Sequence, residues 1–189
     1  MLQIFFAIAL NLALQAPPAY PAPVPLSVSI MEWQPETGDR FVVDTKDNEG
    51  FLIHSDGRYV RFSVATGQRR YVCYIGRCYN AATPEKSWVA KSRDIKGDHM
   101  TFGPSGRFLR LYKNGTEDTA YGIHEYGNEA RMFAEGERYR SMGCIVVKQA
   151  MMDIIDQTYA ENGNALDVVT AFGIEDPVRL AFGSGKREV

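Results

Sequence analysis

The chain has 189 residues, 45% of them apolar, which allows one domain with a substantial core and leaves little room for a second. Its formal net charge of -2 comes from 21 Lys+Arg set against 23 Asp+Glu with no long single-sign run, which argues against nucleic-acid binding. Small basic groups, Lys91, Arg93 and Lys96 or Arg138 and Arg140, read either as solvated surface or as local contacts for an anionic substrate.

Met1 to Leu14 is apolar except for Gln3 and Asn11 and runs into Ala16-Pro17-Pro18-Ala19-Tyr20-Pro21-Ala22-Pro23. A bilayer-spanning helix needs about 20 residues, so this shorter run reads as the hydrophobic region of an export signal over residues 1–22. A retained N-terminal membrane anchor or an irregular N-terminal helix is the alternative. Residues 23–39 read as a linker, and a domain follows over residues 40–182. Strands are expected from Arg40 to Val43 and from Gly50 to Ile53, then a surface turn at His54-Ser55-Asp56-Gly57. Alternation through Tyr59, Val60, Phe62 and Val64 marks another strand before Thr66-Gly67 turns the chain again. Further strands are expected at Arg70 to Ile75, Trp88 to Lys91, Arg107 to Tyr112, Tyr121 to His124 and Cys144 to Val147. Lys148 to Glu161 is the helical candidate: Met151, Ile154, Ile155 and Tyr159 recur at three- and four-residue spacing, and Asn162-Gly163 stops it. Asn164 to Ala171 has no clear assignment. Asp176 to Phe182 reads as a final edge strand with Pro177 at its start, and residues 183–189 as a tail. The fold class is therefore mainly β with one packed C-terminal helix.

Three cysteines suit an exported chain if Cys73 and Cys78 pair across a hairpin whose turn is Gly76, although two ordinary buried thiols fit the spacing too. Two cysteines without matching neighbours fall short of the four ligands of structural zinc, so no metal is expected. Cys144 is then the odd cysteine and the reactive candidate.

A thiol becomes a strong nucleophile when a base removes its proton, and imidazole is the side chain best suited to take and return it. His54 belongs to a turn, and His99 lies in a loop-like stretch that borders a cleft in the functional reading. His124 ends an apolar strand just before a long polar loop, where rigid scaffolds present catalytic groups. Gly143 lets the backbone turn sharply and bring amides against a bound carbonyl, as an oxyanion site requires. Ser141 caps that turn or bonds substrate. The loop from Glu125 to Arg140 carries four glutamates, but nothing fixes two of them at a set separation, which argues against glycosidase chemistry. Gly103-Pro104-Ser105-Gly106-Arg107 lacks the Lys-Ser or Lys-Thr of a phosphate loop.

At Ile123-His124-Glu125 and Ser141-Met142-Gly143-Cys144-Ile145-Val146 the chain resembles the YkuD-type L,D-transpeptidase catalytic domain. That family carries a His-Gly segment, a loop, and Ser-His-Gly-Cys followed by an aliphatic residue and Arg or Asn. Phe41 to Gly67 resembles its opening hairpins and Ala82 to Trp88 its Thr-Pro-x-Gly-x-Phe segment, so the likeness extends over roughly residues 40 to 182. The departures are Met142 for the second histidine, Val146 for Arg or Asn, Glu125 for the Gly after His124, and Lys86 for the Gly after Thr-Pro.

The resemblance implies a β-sandwich or barrel-like fold with Cys144 as nucleophile and His124 as general base, its ring oriented by a backbone carbonyl. Ser141, Gly143 and the Cys144 amide would shape the pocket, with Tyr121, Glu125, Met142 and His99 as substrate-binding candidates. It further implies attack on the third residue of a peptidoglycan tetrapeptide stem, release of D-alanine, and transfer to an amine acceptor or water. No cofactor and no stable protein partner is expected, and the location would be the periplasm or extracellular envelope. The alternatives are an L,D-carboxypeptidase or D-amino-acid-exchanging antibacterial toxin, and a non-catalytic wall-binding domain.

Overall fold

The computed structural model describes residues 26–74, 76–134, 136 and 138–183. The export-signal segment, the first residues of the linker, two of the loop glutamates and the tail beyond Gly183 lie outside the described residues. The chain enters through β1 (Leu26–Ser27) and a 3-10 turn (Ile30–Glu32), then forms β2 (Arg40–Asp44), β3 (Glu49–Ile53), β4 (Arg58–Ser63) and β5 (Thr66–Gly67). A hairpin of β6 (Tyr71–Tyr74) and β7 (Arg77–Asn80) precedes the long β8 (Lys86–Ile95), a helical turn α1 (His99–Phe102), β9 (Arg107–Lys113) and β10 (Glu117–His124). After α2 (Glu129–Met132) come β11 (Tyr139–Ser141), β12 (Ile145–Val146), α3 (Gln149–Glu161), β13 (Leu166–Ala171) and α4 (Pro177–Phe182).

Nine strands make one mixed sheet in the order β1-β4-β3-β2-β13-β8-β9-β10-β12. Ala65, just past β4, exchanges two backbone hydrogen bonds of 2.8 Å with Val146 on the opposite edge strand β12. Near-edge and far-edge strands thus meet, and the sheet curls toward a barrel. Its concave face carries Phe41, Leu52, Val60, Leu109, Ile123 and Ile145, all essentially sealed from solvent. Helix α3 plugs that face with Met151, Met152, Ile155 and Tyr159, the stripe its sequence period lays along one side.

Three local expectations are corrected and one open segment is assigned. Asp176 to Phe182 is the helix α4 and not an edge strand: the Asp176 carboxylate accepts the Arg179 N–H at 2.9 Å, and Pro177 occupies the first turn, where a missing N–H costs nothing. Residues 166–171 form the central strand β13, parallel to β2 and antiparallel to β8. Thr66-Gly67 does not turn the chain but pairs with β11 in parallel. His54 is not on the surface. It is 1% exposed, stacked on Trp33 at 3.7 Å between ring centroids, with Nδ1 2.6 Å from the buried Asp39 carboxylate.

Candidate functional site

The parallel pairing of β10 with β12 sets Ile123 against Ile145 and His124 against Val146. Paired residues of neighbouring strands face the same side of a sheet, and the side alternates with each residue. Extending the register one step back sets Cys144 beside Gly122, on the face to which His124 belongs. Gly122 leaves that face open, and the Phe108 ring fills the space: a Cβ there would stand 2.2 Å from the ring.

His124 is 4% exposed and held from several directions. Its Nδ1 lies 2.5 Å from the Glu125 carbonyl, the Thr101 backbone on α1 also bonds to the ring, and Phe102 and Phe108 flank it at 5.1 and 5.9 Å between centroids. Burial pulls the imidazole pKa below its ordinary value, opposed by the two carbonyls and the Glu125 carboxylate. A neutral ring carries one N–H, so it cannot satisfy both carbonyls at once.

The Cys144 sulfur sits 3.9 Å from the Ala120 carbonyl, with the Gly122 backbone also against it. Removal from water raises the thiol pKa from 9.0 to about 11, although the Gly122 hydrogen bond and the Arg110 charge both favour the thiolate. Thiol and imidazole therefore share one face of the sheet without a hydrogen bond between them.

The turn before Cys144 is built from its own residues. Gly143 has φ +116, a region side chains rarely adopt, and a Cβ on it would come within 2.6 Å of the Tyr121 ring. Ser141 clips the turn from inside: its Oγ accepts the Gly143 N–H at 3.1 Å and donates to the Cys144 carbonyl at 2.6 Å. With Gly143 engaged in this way, the Met142 and Cys144 N–H groups are the turn amides without a hydrogen-bond partner among the described residues. Tyr121 packs on Trp88, and its phenol pKa is raised chiefly by burial, then by Tyr79 and Cys144. Met142 is half-buried, its sulfur 3.8 Å from the Gln68 amide nitrogen.

Two substrate-binding candidates are held by partners of their own. Glu125 is 1% exposed; its Oε1 accepts from Ser105 and Arg107, both at 2.7 Å, and Arg107 runs on to Asp153 and Asp156. That network ties the end of β10 to α3. His99 is exposed on α1, its Nδ1 3.2 Å from the Gly103 carbonyl. Cys73 and Cys78 are joined by a disulfide, Cys144 is the free cysteine, and the Cys73–Cys78 hairpin brings Tyr79 toward Tyr121. Among the described residues no group of three or more His, Cys, Asp or Glu is arranged to hold a metal ion, and no helix is long and apolar enough to cross a membrane.

Sequence reasoning missed Thr101, Phe102 and Phe108 around the imidazole, Arg110 near the thiol, and Tyr79 near Tyr121. Arg110 is drawn inward because it pairs with Gly122 across β9 and β10, where it holds Asp94 at 2.6 Å and the Thr119 carbonyl at 2.8 Å. An arginine among Phe108, Leu109 and Leu111 was the signal available for it.

The basic groups read from sequence are mostly committed within the fold. Arg93 pairs with Asp156, Lys96 with Asp94, and Arg138 donates to the Val64, Asp47 and Asn48 carbonyls.

The model of the L,D-transpeptidase catalytic domain family, YkuD, matches residues 38–170. Among solved structures the chain is similar to an L,D-transpeptidase of Xylanimonas cellulosilytica, at TM-score 0.52 and 17% identity over 72% of this chain and 61% of that one. It is also similar to a point variant of the helical cell shape determining protein Pgp2 of Campylobacter jejuni, at TM-score 0.50 and 14% identity over 77% of this chain and 52% of that one. The chain thus spans less than two thirds of either protein, and likeness at such identity speaks for the fold. No curated protein matches the chain.

Proposed function

Because the chain belongs to the L,D-transpeptidase catalytic domain family, we propose that it is a cysteine-dependent peptidoglycan L,D-transpeptidase of the cell envelope, acting on tetrapeptide stems through an acyl-enzyme. The observation that carries this reading is the free thiol of Cys144 at the head of β12, on the His124 face, beside an amide with no partner of its own.

In this mechanism the sulfur rotates away from Ala120 and passes its proton to the His124 imidazole. The resulting thiolate bonds the carbonyl carbon of the third stem residue. The Cys144 N–H donates to the oxyanion, a contact that gains strength as charge develops there. The amine of the departing D-alanine takes the proton back from the imidazolium, leaving a thioester on Cys144. An amine of a second stem, or water, then opens the thioester with the same imidazole as base. The buried and neutral resting pair also suits a second reading, a wall-binding domain whose site is silent.

Incubation with tetrapeptide muropeptides separates the outcomes. Crosslinked or D-amino-acid-exchanged products, lost in Cys144→Ala, support transfer. Tripeptide stems alone support an L,D-carboxypeptidase. Unchanged muropeptides, with wall binding retained in Cys144→Ala, favour the binding domain, and products that persist in that variant contradict the mechanism.

A further inference from the structure

A cleft of about 330 Å³ opens beside the Ser141–Cys144 turn, walled by the segment between β5 and β6, by α2 and by β11. Its lining includes Gln68, Arg70, Arg131, Tyr139 and Arg140, and among the described lining residues none is acidic. The cleft and the thiol turn share backbone. Strand β11 ends at Ser141, the Gln68 N–H donates to the Ser141 carbonyl at 2.9 Å, and the Gln68 side chain touches Met142.

Three guanidinium groups around one cleft are a local feature of a chain whose net charge is -2. Neighbouring arginines are spent on the fold: Arg69 lies over the Tyr139 and Phe172 rings and donates to the Thr45 carbonyl, and Arg138 donates to three backbone carbonyls. Arg140 donates to the Arg131 carbonyl and so fixes α2 against β11. Arg70 uses Nε to donate to Gln68 Oε1 at 2.8 Å, which aims its remaining N–H groups without neutralising the charge. Arg131 is exposed, and its guanidinium makes no ion pair among the described residues. The Glu129 carboxylate, on the same helix, accepts the Gln149 N–H at 2.9 Å and so is turned toward α3. The guanidinium forks of Arg70 and Arg131, in a cleft whose described lining carries no carboxylate, suit a planar anion that accepts two parallel N–H bonds.

We infer that this cleft binds a carboxylate of the donor stem peptide through Arg70 and Arg131, and thereby sets the peptide whose carbonyl meets Cys144. The identity of the peptide rests on the transpeptidase reading; the anion preference rests on the cleft alone.

The test is calorimetric binding to full-length Cys144→Ala, which removes turnover from the readout. Three tetrapeptide stems are compared: free acid, amidated at the C terminus, and amidated at the internal carboxylates. Arg70→Gln and Arg131→Gln should each weaken the free acid about tenfold, in keeping with loss of a charge-assisted hydrogen bond. Amidating the bound carboxylate should give the same loss and erase the effect of both substitutions, and the amidated peptide that shows this identifies which carboxylate is held. Equal affinity across the variants, an equal loss for every peptide, or no binding at all overturns the inference. Arginine-dependent binding without acylation of the wild type would sink the transpeptidase reading and keep the cleft. Acylation that ignores both arginines would do the reverse.

Discussion

The environment of Cys144 sets how its reactivity must change with pH. Burial disfavours the charged form of an acid, so the thiolate appears only well above the ordinary range, at a pKa of about 11. At pH 7.5 such a thiol is ionised to about 1 part in 3000, against about 1 in 30 for an unperturbed value of 9.0. Alkylation by iodoacetamide should therefore run about 100-fold slower than for an ordinary thiol. Because Cys73 and Cys78 are bridged, the unreduced protein reports on Cys144 alone by intact mass. The rate should climb about tenfold per pH unit from about 7.5 to 10, as expected for a group far below its pKa. A plateau below about pH 9, or an inflection near the His range of about 6 to 7, would refute this geometry, because the latter marks a preformed thiolate–imidazolium pair.

Three further predictions concern the frame of the fold. Gly143→Ala forces a side chain into φ +116 and against Tyr121, and should lower stability by about 1–3 kcal/mol in urea unfolding; an unchanged midpoint would contradict the strained turn. Arg107→Met leaves the buried Glu125 carboxylate without its cation and should cost about 3–5 kcal/mol. Glu125→Gln should cost less, since Asp153 and Asp156 still face Arg107, and the reverse order would show that the network is misread. Trp33→Ala uncovers His54 and Asp39 and should cost about 3–5 kcal/mol, with a loss under about 1 kcal/mol arguing against the stacked cluster.

What was legible followed from local pattern. The period of Met151, Ile155 and Tyr159 located α3, and the runs Tyr121 to His124 and Cys144 to Val147 located the two strands that pair beside the thiol. β13 was obscured because both its faces are packed. Leu166, Val168 and Thr170 face one way, while Val169 on the other side meets the cluster of α4, so polar alternation is lost. Helix α4 carried a signal that was read wrongly: Asp before Pro is an N-cap followed by a first-turn proline. His54 was misplaced because its partners, Trp33 and Asp39, come from the segment read as a linker. Sequence also put Cys144 and His124 forward as a pair of candidates, but not their surroundings. The Phe102 and Phe108 walls, the Thr101 carbonyl and the Ala120 contact arise from segments that meet only in the folded chain.

Intact-mass analysis of the wild type after exposure to a tetrapeptide stem addresses the chemistry at its reacting atom. The account predicts a mass gain equal to the donor less D-alanine, mapping by peptide digestion to Cys144 and absent from Cys144→Ala. Muropeptide products formed while Cys144 stays unmodified in rapidly quenched samples, or an adduct on any other residue, would contradict it.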